Sequence, residues 1–301
     1  MMVPQIHFPK HNLSISRLVY GIWRLHEDKH GFGEDRIYEK INLCLELGID
    51  TFDHADIYGD FENEERFGKV LKKYPNLKNK IKIITKCGIQ IPGNKFSTKH
   101  YNTTKEHIRY SVERSLRKLQ VDCLDVVLIH RPDPLMDPTE MAEVFDSLTA
   151  EGKVKHFGVS NFTPSQFQMV QSKFNRPLFT NQVEFHLFHT EPMVDGTFDQ
   201  MLESDIHPMV WSPTAGGKVF SPKTETEIKT SIKLQDIAKR FGASIDQIVY
   251  SWFLNHPAGL VPILGTNDME RIKSAANSFS YPLSRLDWFA ILETARGREV
   301  A

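Results

Sequence analysis

The chain is poor in cysteine, in long hydrophobic runs and in net charge, and each absence excludes a class of protein. Its 301 residues include three cysteines, Cys44, Cys87 and Cys123, with no CxxC pair, so neither a disulfide framework nor a cysteine zinc site is predicted. The longest apolar runs, such as Leu124 to Ile129, are far shorter than the roughly 20 residues of a membrane-spanning helix. A formal net charge of -1 without a basic stripe argues against a nucleic-acid or membrane-surface partner.

The remaining composition is that of an ordinary globular protein. Hydrophobic residues make up 40% and charged residues 25%, and no linker or low-complexity tract divides the chain. We therefore expect one domain over residues 1–301. Residues 1–16 lack a basic segment followed by an apolar one, so they are not expected to form a secretion signal, and a cytoplasmic location is predicted. The absence of a visible interface stripe favours a monomer.

Short β-rich apolar runs alternate with amphipathic segments along the chain. Continuous apolar runs are typical of parallel strands that are covered on both faces. Eight runs are present, most of them continuous: Leu18 to Ile22, Ile49 to Asp53, Ile81 to Lys86, Leu124 to His130, His156 to Ser160, Phe179 to Val183, Pro208 to Ser212 and Leu260 to Leu264. Eight strands with helices between them predict an α/β fold of the (β/α)₈ TIM-barrel type, with an open doubly wound sheet as the alternative.

Local signals support the helices and add one further element. Asp35 to Leu47 carries an apolar face and stops before Gly48, a favourable residue after a helix end. The segments starting at Thr103 and Ser244 carry a glutamate or glutamine three residues later, which is the pattern of a capping box, and Thr163-Pro164 places proline at the first position of another helix. Residues 5–8 and 13–16 alternate in polarity around a short turn, which predicts an N-terminal β-hairpin that plugs the barrel floor.

Three charged or ionisable residues close strongly apolar strands: Asp53, Lys86 and His130. In this kind of barrel the catalytic residues lie where strands end and loops begin, so the three are expected to converge, with Asp53 pairing with Lys86. Tyr58 follows Asp53 after a short turn and can fold over the same mouth. A tyrosine is a poor acid at neutral pH, but a nearby ammonium lowers its pKa. The set suits a proton donor acting on a developing alkoxide, with the hydride supplied by a cofactor.

Six segments carry a family resemblance. They occur in order at predicted strand ends and read FDHADIYG (52–59), ITKCG (84–88), LIHRPDP (128–134), GVSNF (158–162), NQVE (181–184) and PILGT…R (262–271). Over nearly its whole length the chain resembles the aldo-keto reductase family, and within it a branch of bacterial oxidoreductases. The resemblance implies reduction of aldehydes or ketones with NADPH. It further implies that Tyr58 is the general acid, that Lys86 lowers its pKa, that Asp53 holds Lys86, and that His130 orients the carbonyl.

The resemblance also implies a nucleotide site. Ser160, Asn161 and Gln182 would hydrogen-bond the nicotinamide carboxamide, and Trp211 would stack on its ring. The loop after Trp211 would cover the pyrophosphate, and Thr266, Asn267 and Arg271 would meet the 2′-phosphate. The full set of cofactor-binding residues implied in this way is Gly21, Ile22, Trp23, Asp53, Ser160, Asn161, Gln182, Trp211, Ser212, Pro213, Gly216, Gly217, Lys218, Gly265, Thr266, Asn267 and Arg271.

Two features depart from the family pattern. Many members carry a lysine or arginine next to the position of Thr266, where this chain has Gly265 and Asn267, which weakens the case for NADPH over NADH. The residues just after Arg271, Ile272 to Ala275, also lack the family's frequent Glu-Asn adenine contacts, which weakens the case for an adenine site there. The short tail at the end of the chain favours an open pocket for a small-molecule carbonyl substrate.

Other functions remain open at this point. Lys86 could form a Schiff base in a barrel aldolase, although a neighbouring Asp53 favours a charged lysine. An NADPH-binding regulatory protein with slow turnover would carry the same motifs. A metal-dependent hydrolase is disfavoured because the first strand end has no HxH pair, and no metal is expected at Glu184, His186 and His189. Cys87 is predicted to be a packed thiol rather than a redox-sensitive one.

Overall fold

A closed barrel of eight parallel strands forms the centre of the protein. The structure is a computed structural model that describes residues 2–93 and 96–301. Each strand pairs with the next along the chain, and the last pairs with the first, Ile263 opposite Val19. The barrel strands are β1 (Val19–Gly21), β2 (Thr51–Asp53), β3 (Lys82–Cys87), β4 (Leu124–Ile129), β5 (Val154–Ser160), β6 (Asn181–Glu184), β7 (Met209–Trp211) and β8 (Val261–Leu264). The predicted (β/α)₈ architecture is confirmed.

Helices cover the outside of the barrel. They are α1 (Glu34–Glu46), α2 (Asn63–Lys73), α3 (Lys105–Leu119), α4 (Pro138–Ala150), α5 (Pro164–Gln171), α6 (Thr197–Glu203), α7 (Glu225–Phe241), α8 (Ile245–Leu254), α9 (Met269–Ala276) and α10 (Arg285–Arg296). Their apolar faces pack on the strands, where the buried core residues lie. Short 3₁₀ helices occupy Pro9–His11, Leu25–Glu27, Pro75–Asn79, Glu191–Met193, Ala215–Gly217 and Asn277–Ser280. Within the described residues, no helix is long and apolar enough to cross a lipid bilayer.

The helix-start signals hold in two places and fail in one. Pro164 stands at the start of α5, as predicted, and the Gln247 side chain accepts a hydrogen bond from the Ser244 amide, as in the predicted capping box. The box predicted to start at Thr103 is wrong. Thr104 caps α3 instead, with its side chain accepting from the amide of residue 107, while the Thr103 hydroxyl donates to the Asp133 carboxylate.

The predicted N-terminal hairpin is present and closes the bottom of the barrel. Strands Gln5–Phe8 and Leu13–Ser16 pair antiparallel. Phe8 stacks on Phe179 inside the barrel with ring centroids 4.2 Å apart, and Ile15 is fully buried. A second, short antiparallel pair, Ile89–Gln90 with His100–Tyr101, follows β3 at the opposite end. The open end of the barrel is therefore the end that carries the carboxyl termini of the strands.

The contact between α2 and α3 requires a glycine. A Cβ on Gly68 would lie 1.9 Å from the carbonyl oxygen of Lys118, so the two helices would have to move apart. An exposed mid-helix Gly→Ala change stabilises a helix, but here we expect Gly68→Ala to lower the free energy of unfolding by about 1–3 kcal/mol, because backbone atoms must shift. Urea denaturation measures this. The exposed Lys72→Ala on the same helix is the control, and equal stabilities for the two variants would contradict the prediction.

Candidate active site

The four residues predicted to carry the chemistry meet at the open end of the barrel. Asp53 ends β2, Lys86 lies near the end of β3, His130 follows β4, and Tyr58 stands on the turn after β2. The Lys86 Nζ lies 2.6 Å from Asp53 Oδ2 and 3.1 Å from the Tyr58 hydroxyl. The Tyr58 and His130 rings are 5.9 Å apart and nearly perpendicular. Asp53, Tyr58 and His130 line a cavity of ≈ 550 Å³.

Lys86 is buried, and all three N–H bonds of its ammonium group donate hydrogen bonds. An ammonium has three donors, and these reach Asp53, Tyr58 and the carbonyl oxygen of His54, the last at 2.9 Å. Burial alone lowers the pKa of Lys86, but Asp53 and Tyr58 outweigh it and raise the pKa above its ordinary value. The other oxygen of Asp53 accepts from the Gln182 amide at 2.9 Å. Lys86 is therefore a fixed positive charge in contact with the phenol.

The pKa of Tyr58 is raised, which corrects one expectation. Burial raises the pKa of the phenol, while Lys86 lowers it and Asp53 raises it again. Lys86 lowers the pKa of Tyr58, as predicted, but the opposite effect of burial is larger. Tyr58 is thus a neutral phenol at neutral pH, with a cation placed to stabilise the phenolate once its proton has left.

His130 is a neutral imidazole. Burial lowers its pKa well below the ordinary value, and Lys86, Arg131 and Lys99 lower it further. Its Nδ1 is buried and has no hydrogen-bond partner among residues 2–93 and 96–301. A neutral ring beside Tyr58 can donate one hydrogen bond to a carbonyl oxygen without titrating in the physiological range.

Hydrogen bonds join the residues that the resemblance implies for the nicotinamide. The Ser160 hydroxyl donates to the Gln182 carbonyl oxygen at 2.8 Å, and the Asn161 amide donates to Ser160 Oγ at 2.8 Å. The Trp211 indole N–H donates to the Asn161 side-chain oxygen at 2.9 Å. Asn161 and Ser212 both adopt a left-handed backbone with φ of 62°, a strain typical of functional sites. The indole is therefore held at a set orientation beside the cavity.

A second cavity, of ≈ 1070 Å³, adjoins the first and shares Arg24, Glu27, Thr214 and Gly265 with it. Together they form an elongated cleft that runs to Arg271 from the tetrad, the four residues Asp53, Tyr58, Lys86 and His130. Gly216 and Gly217 adopt positive φ, and neither has another atom within 4 Å of where a Cβ would lie. Backbone N–H groups in such a loop can approach a phosphate closely. Among the implied cofactor residues, those that line the two cavities are Gly21, Trp23, Asp53, Ser160, Asn161, Gln182, Trp211, Ser212, Pro213, Gly216, Gly217, Gly265, Thr266, Asn267 and Arg271.

The residues implied for dinucleotide binding differ in how free their side chains are to contact it. The Arg271 side chain is 62% exposed, and its nearest carboxylate, that of Asp268, is 3.9 Å away, which leaves the guanidinium open to an anion. Both polar ends of the Asn267 side chain are already used, by Lys40 and by the Arg24 carbonyl oxygen. Ile22 is buried in the core.

Lys218 does not line the cleft either. It lies 3.8 Å from Glu227 and outside both cavities. Ile22 is likewise not among the residues that line the two cavities.

The mouth also contains charged side chains that the sequence did not single out. Arg24, Asp60, Lys99 and Arg131 line it with His26 and Glu27. They lie on loops or in the short 3₁₀ helix Leu25–Glu27, where no periodicity marks a residue. Apart from Lys99, their closeness in sequence to Trp23, Tyr58 and His130 was the only signal.

The histidines of the segment after β6 lie beside carboxylates. His186 lies 3.3 Å from Glu184 and His189 lies 3.1 Å from Glu191. In the part of the chain that the structure describes, no group of three or more histidine, cysteine, aspartate or glutamate side chains is arranged to hold a metal. Cys87 is buried, and burial raises its pKa well above the ordinary value, so it is a packed thiol as predicted.

His54 makes the protein sensitive to acid. It is fully buried, and burial, followed by Lys86, lowers its pKa from 6.5 to about 3. The unfolded state therefore binds a proton that the folded state does not, so stability is lost as the pH falls below 6.5. We expect His54→Leu to reduce this loss by about 1.4 kcal/mol per pH unit between pH 6 and 4. Urea denaturation at both pH values measures it, with the exposed His7→Leu as control. Parallel pH profiles for wild type and His54→Leu would contradict the assignment.

Comparisons with known proteins give the family. A model described as the Aldo/keto reductase family matches residues 17–295. The chain is 44% identical over 292 residues to the 6-dehydroglucose reductase of Agrobacterium fabrum, covering 96% of this chain and 97% of the relative. It is 40% identical over 301 residues to the oxidoreductase YdhF of Escherichia coli, covering 99% and 100%. The solved structure of the glycerol dehydrogenase AKR11B4 from Gluconobacter oxydans matches with a TM-score of 0.85 at 22% identity, over 99% of this chain and 97% of that chain.

The barrel, the tetrad at its mouth and these matches agree. The chain belongs to the aldo-keto reductase family and is an oxidoreductase of that family. The resemblance that the six motifs indicated, including the likeness to bacterial oxidoreductases, is confirmed.

Proposed function

We propose that this protein reduces aldehydes or ketones to alcohols with NADPH and that Tyr58 donates the proton. The observation that carries the proposal is the contact of the Tyr58 hydroxyl with a buried, charged Lys86 at 3.1 Å, at the mouth of an open cavity. A nicotinamide cofactor held beside Ser160, Asn161 and Gln182 would supply the hydride that the carbonyl carbon needs. The carbonyl oxygen, held by the neutral His130, receives the Tyr58 proton, and Lys86 stabilises the phenolate that remains. Solvent then returns the proton to Tyr58.

The cleft supports NADPH as the reductant. Asn161 and Gln182 line the cavity at the nicotinamide end, and Gly216 and Gly217 offer an open backbone midway. Arg271 supplies a planar cation at the far end, suited to a phosphate. The protein would work as a monomer in the cytoplasm, which sedimentation of the pure protein and cell fractionation would test.

A hydroxylated aldehyde is the substrate class that fits the mouth best. Asp60, Lys99 and Arg131 line the cavity near Tyr58 and offer hydrogen bonds to hydroxyl groups. The relative from Agrobacterium fabrum is named for a sugar aldehyde. We expect a higher kcat/KM for hydroxylated than for alkyl aldehydes of similar size. The reverse order would contradict this choice of substrate class.

The experiment that tests the function is a titration followed by turnover. NADPH and NADH are added to the pure protein while tryptophan fluorescence is followed, and an aldehyde panel is then added while NADPH oxidation is recorded. NADPH binding with carbonyl-dependent oxidation supports the proposal. Binding without turnover favours the regulatory alternative. No binding, with covalent trapping of a carbonyl by borohydride, would favour a Lys86 aldolase, although Lys86 is held in the charged form that a Schiff base does not use.

A further inference from the structure

Tyr58 stands on a turn that the backbone alone does not favour. The three residues after it, Gly59, Asp60 and Phe61, all adopt positive φ, of 58°, 53° and 69°. Two of the three are not glycine, and a left-handed backbone is unfavourable for them. Such strain persists only where the surroundings hold it in place, and it occurs most often at functional sites.

Helix α3 contacts this turn on both sides of Tyr58. The Arg114 guanidinium donates to the buried Asp56 carboxylate at 2.8 Å, two residues before Tyr58. The same guanidinium lies over the Phe61 ring, 5.1 Å from its centroid, three residues after Tyr58. One turn further along α3, Lys118 donates to the carbonyl oxygen of Phe61.

The Asp56 anchor is tied to the lysine that Tyr58 contacts. The Asp56 amide donates to the Lys86 carbonyl oxygen at 3.0 Å, so the turn is fixed to β3 through its backbone and to α3 through its side chain. Burial raises the pKa of Asp56 to about 7 and Glu64 adds to this, while Arg114 opposes it most, followed by hydrogen bonds from Ser111 and the Ile57 amide. Without Arg114 the buried carboxylate would lose the charge that holds this end of the turn.

We infer that Arg114 is a positioning residue for Tyr58: by bracketing the turn at Asp56 and Phe61, it keeps the phenol against Lys86. This inference rests on the proposed role of Tyr58 as proton donor and adds a residue that lies outside the cavity and on a different element. Arg114 touches neither cavity, so it acts through the turn alone.

The test is a double-mutant cycle between Arg114→Met and Tyr58→Phe. Single-turnover oxidation of bound NADPH by a saturating aldehyde is measured for wild type, both single variants and the double variant. We expect Arg114→Met to slow this step by about 10–100-fold, because a small misplacement of a catalytic group has effects of that size. We expect no further slowing when Arg114→Met is added to Tyr58→Phe, because the residue acts through the phenol. NADPH affinity should stay within about twofold of wild type, since the cleft is untouched.

Arg109→Met is the matched control on the same helix. Arg109 pairs with Glu151 at 2.8 Å and Ser147 at 2.6 Å, facing α4 and away from Tyr58. If Arg114→Met slows both backgrounds by the same factor, or slows neither, the inference is overturned. If Tyr58→Phe itself leaves the rate unchanged, the proposed function fails instead. Should Arg114→Met not fold, Arg114→Lys, which retains the charge but not the flat stacking, is used in the same cycle, and a wild-type rate there would also overturn the inference.

Discussion

Replacement of Tyr58 by phenylalanine is expected to lower kcat for carbonyl reduction by about 10²–10⁴-fold, the range that a positioned general acid provides. The substitution removes the hydroxyl that lies 3.1 Å from Lys86 and leaves the ring contacts with Trp23 and His130 in place. Substrate and nucleotide would still bind, so the loss should fall on kcat and on kcat/KM alike. Stopped-flow measurement of NADPH oxidation gives the loss of rate, and fluorescence titration of NADPH shows whether nucleotide binding is retained.

Tyr110→Phe is the control for this prediction. Tyr110 lies on α3, is 51% exposed and is remote from the cavity, so its loss should leave the rate unchanged. If Tyr58→Phe keeps a rate within about threefold of wild type, the proton comes from another group. His130, which is neutral and borders the same cavity, would then be the next candidate.

The barrel could be predicted because its strands are covered on both faces. Such strands appear in the sequence mostly as continuous apolar runs, and a polar residue that ends such a run falls at the catalytic end of the barrel. Asp53, Lys86 and His130 were therefore placed correctly without any knowledge of helix packing. Tyr58 was placed because its turn is short and begins at Asp53.

The burial of single side chains could not be predicted in the same way. Glu64 opens α2, and its position fits an exposed acid that complements the helix dipole. It is instead buried, with its carboxylate accepting from Thr85 at 2.6 Å and Ser115 at 3.0 Å. Those partners come from β3 and α3, so the environment of Glu64 depends on how three elements pack. The direction in which the pKa of Tyr58 shifts has the same origin, because it depends on how deeply the turn is buried as well as on the nearby Lys86.

Replacement of Lys86 by methionine is expected to lower the free energy of unfolding by about 3–5 kcal/mol, since it leaves the Asp53 carboxylate buried without its counter-ion. Lys86 and Asp53 are both almost fully buried, with side chains 1% and 3% exposed. The folded state raises the pKa of Lys86 above 10.5, so the stabilisation is fully present below that pH and is lost only as the pH rises through the folded value. The deficit of Lys86→Met should therefore be the same at pH 7 and at pH 9. Urea denaturation at the two pH values measures it.

Adding a substitution at Asp53 separates the effect of the Asp53–Lys86 pair on stability from its effect on catalysis. In the double variant Asp53→Asn/Lys86→Met the buried charge is removed with its partner, and the oxygen of the new carboxamide can still accept from Gln182, as the Asp53 carboxylate does now. Most of the lost stability should return, because a buried pair replaced on both sides costs far less than one broken on one side. Carbonyl reduction should not return, because no cation remains to stabilise the Tyr58 phenolate. A double variant that regained both would show that Lys86 serves only to neutralise Asp53, and the proton transfer would then need no charge beside the phenol.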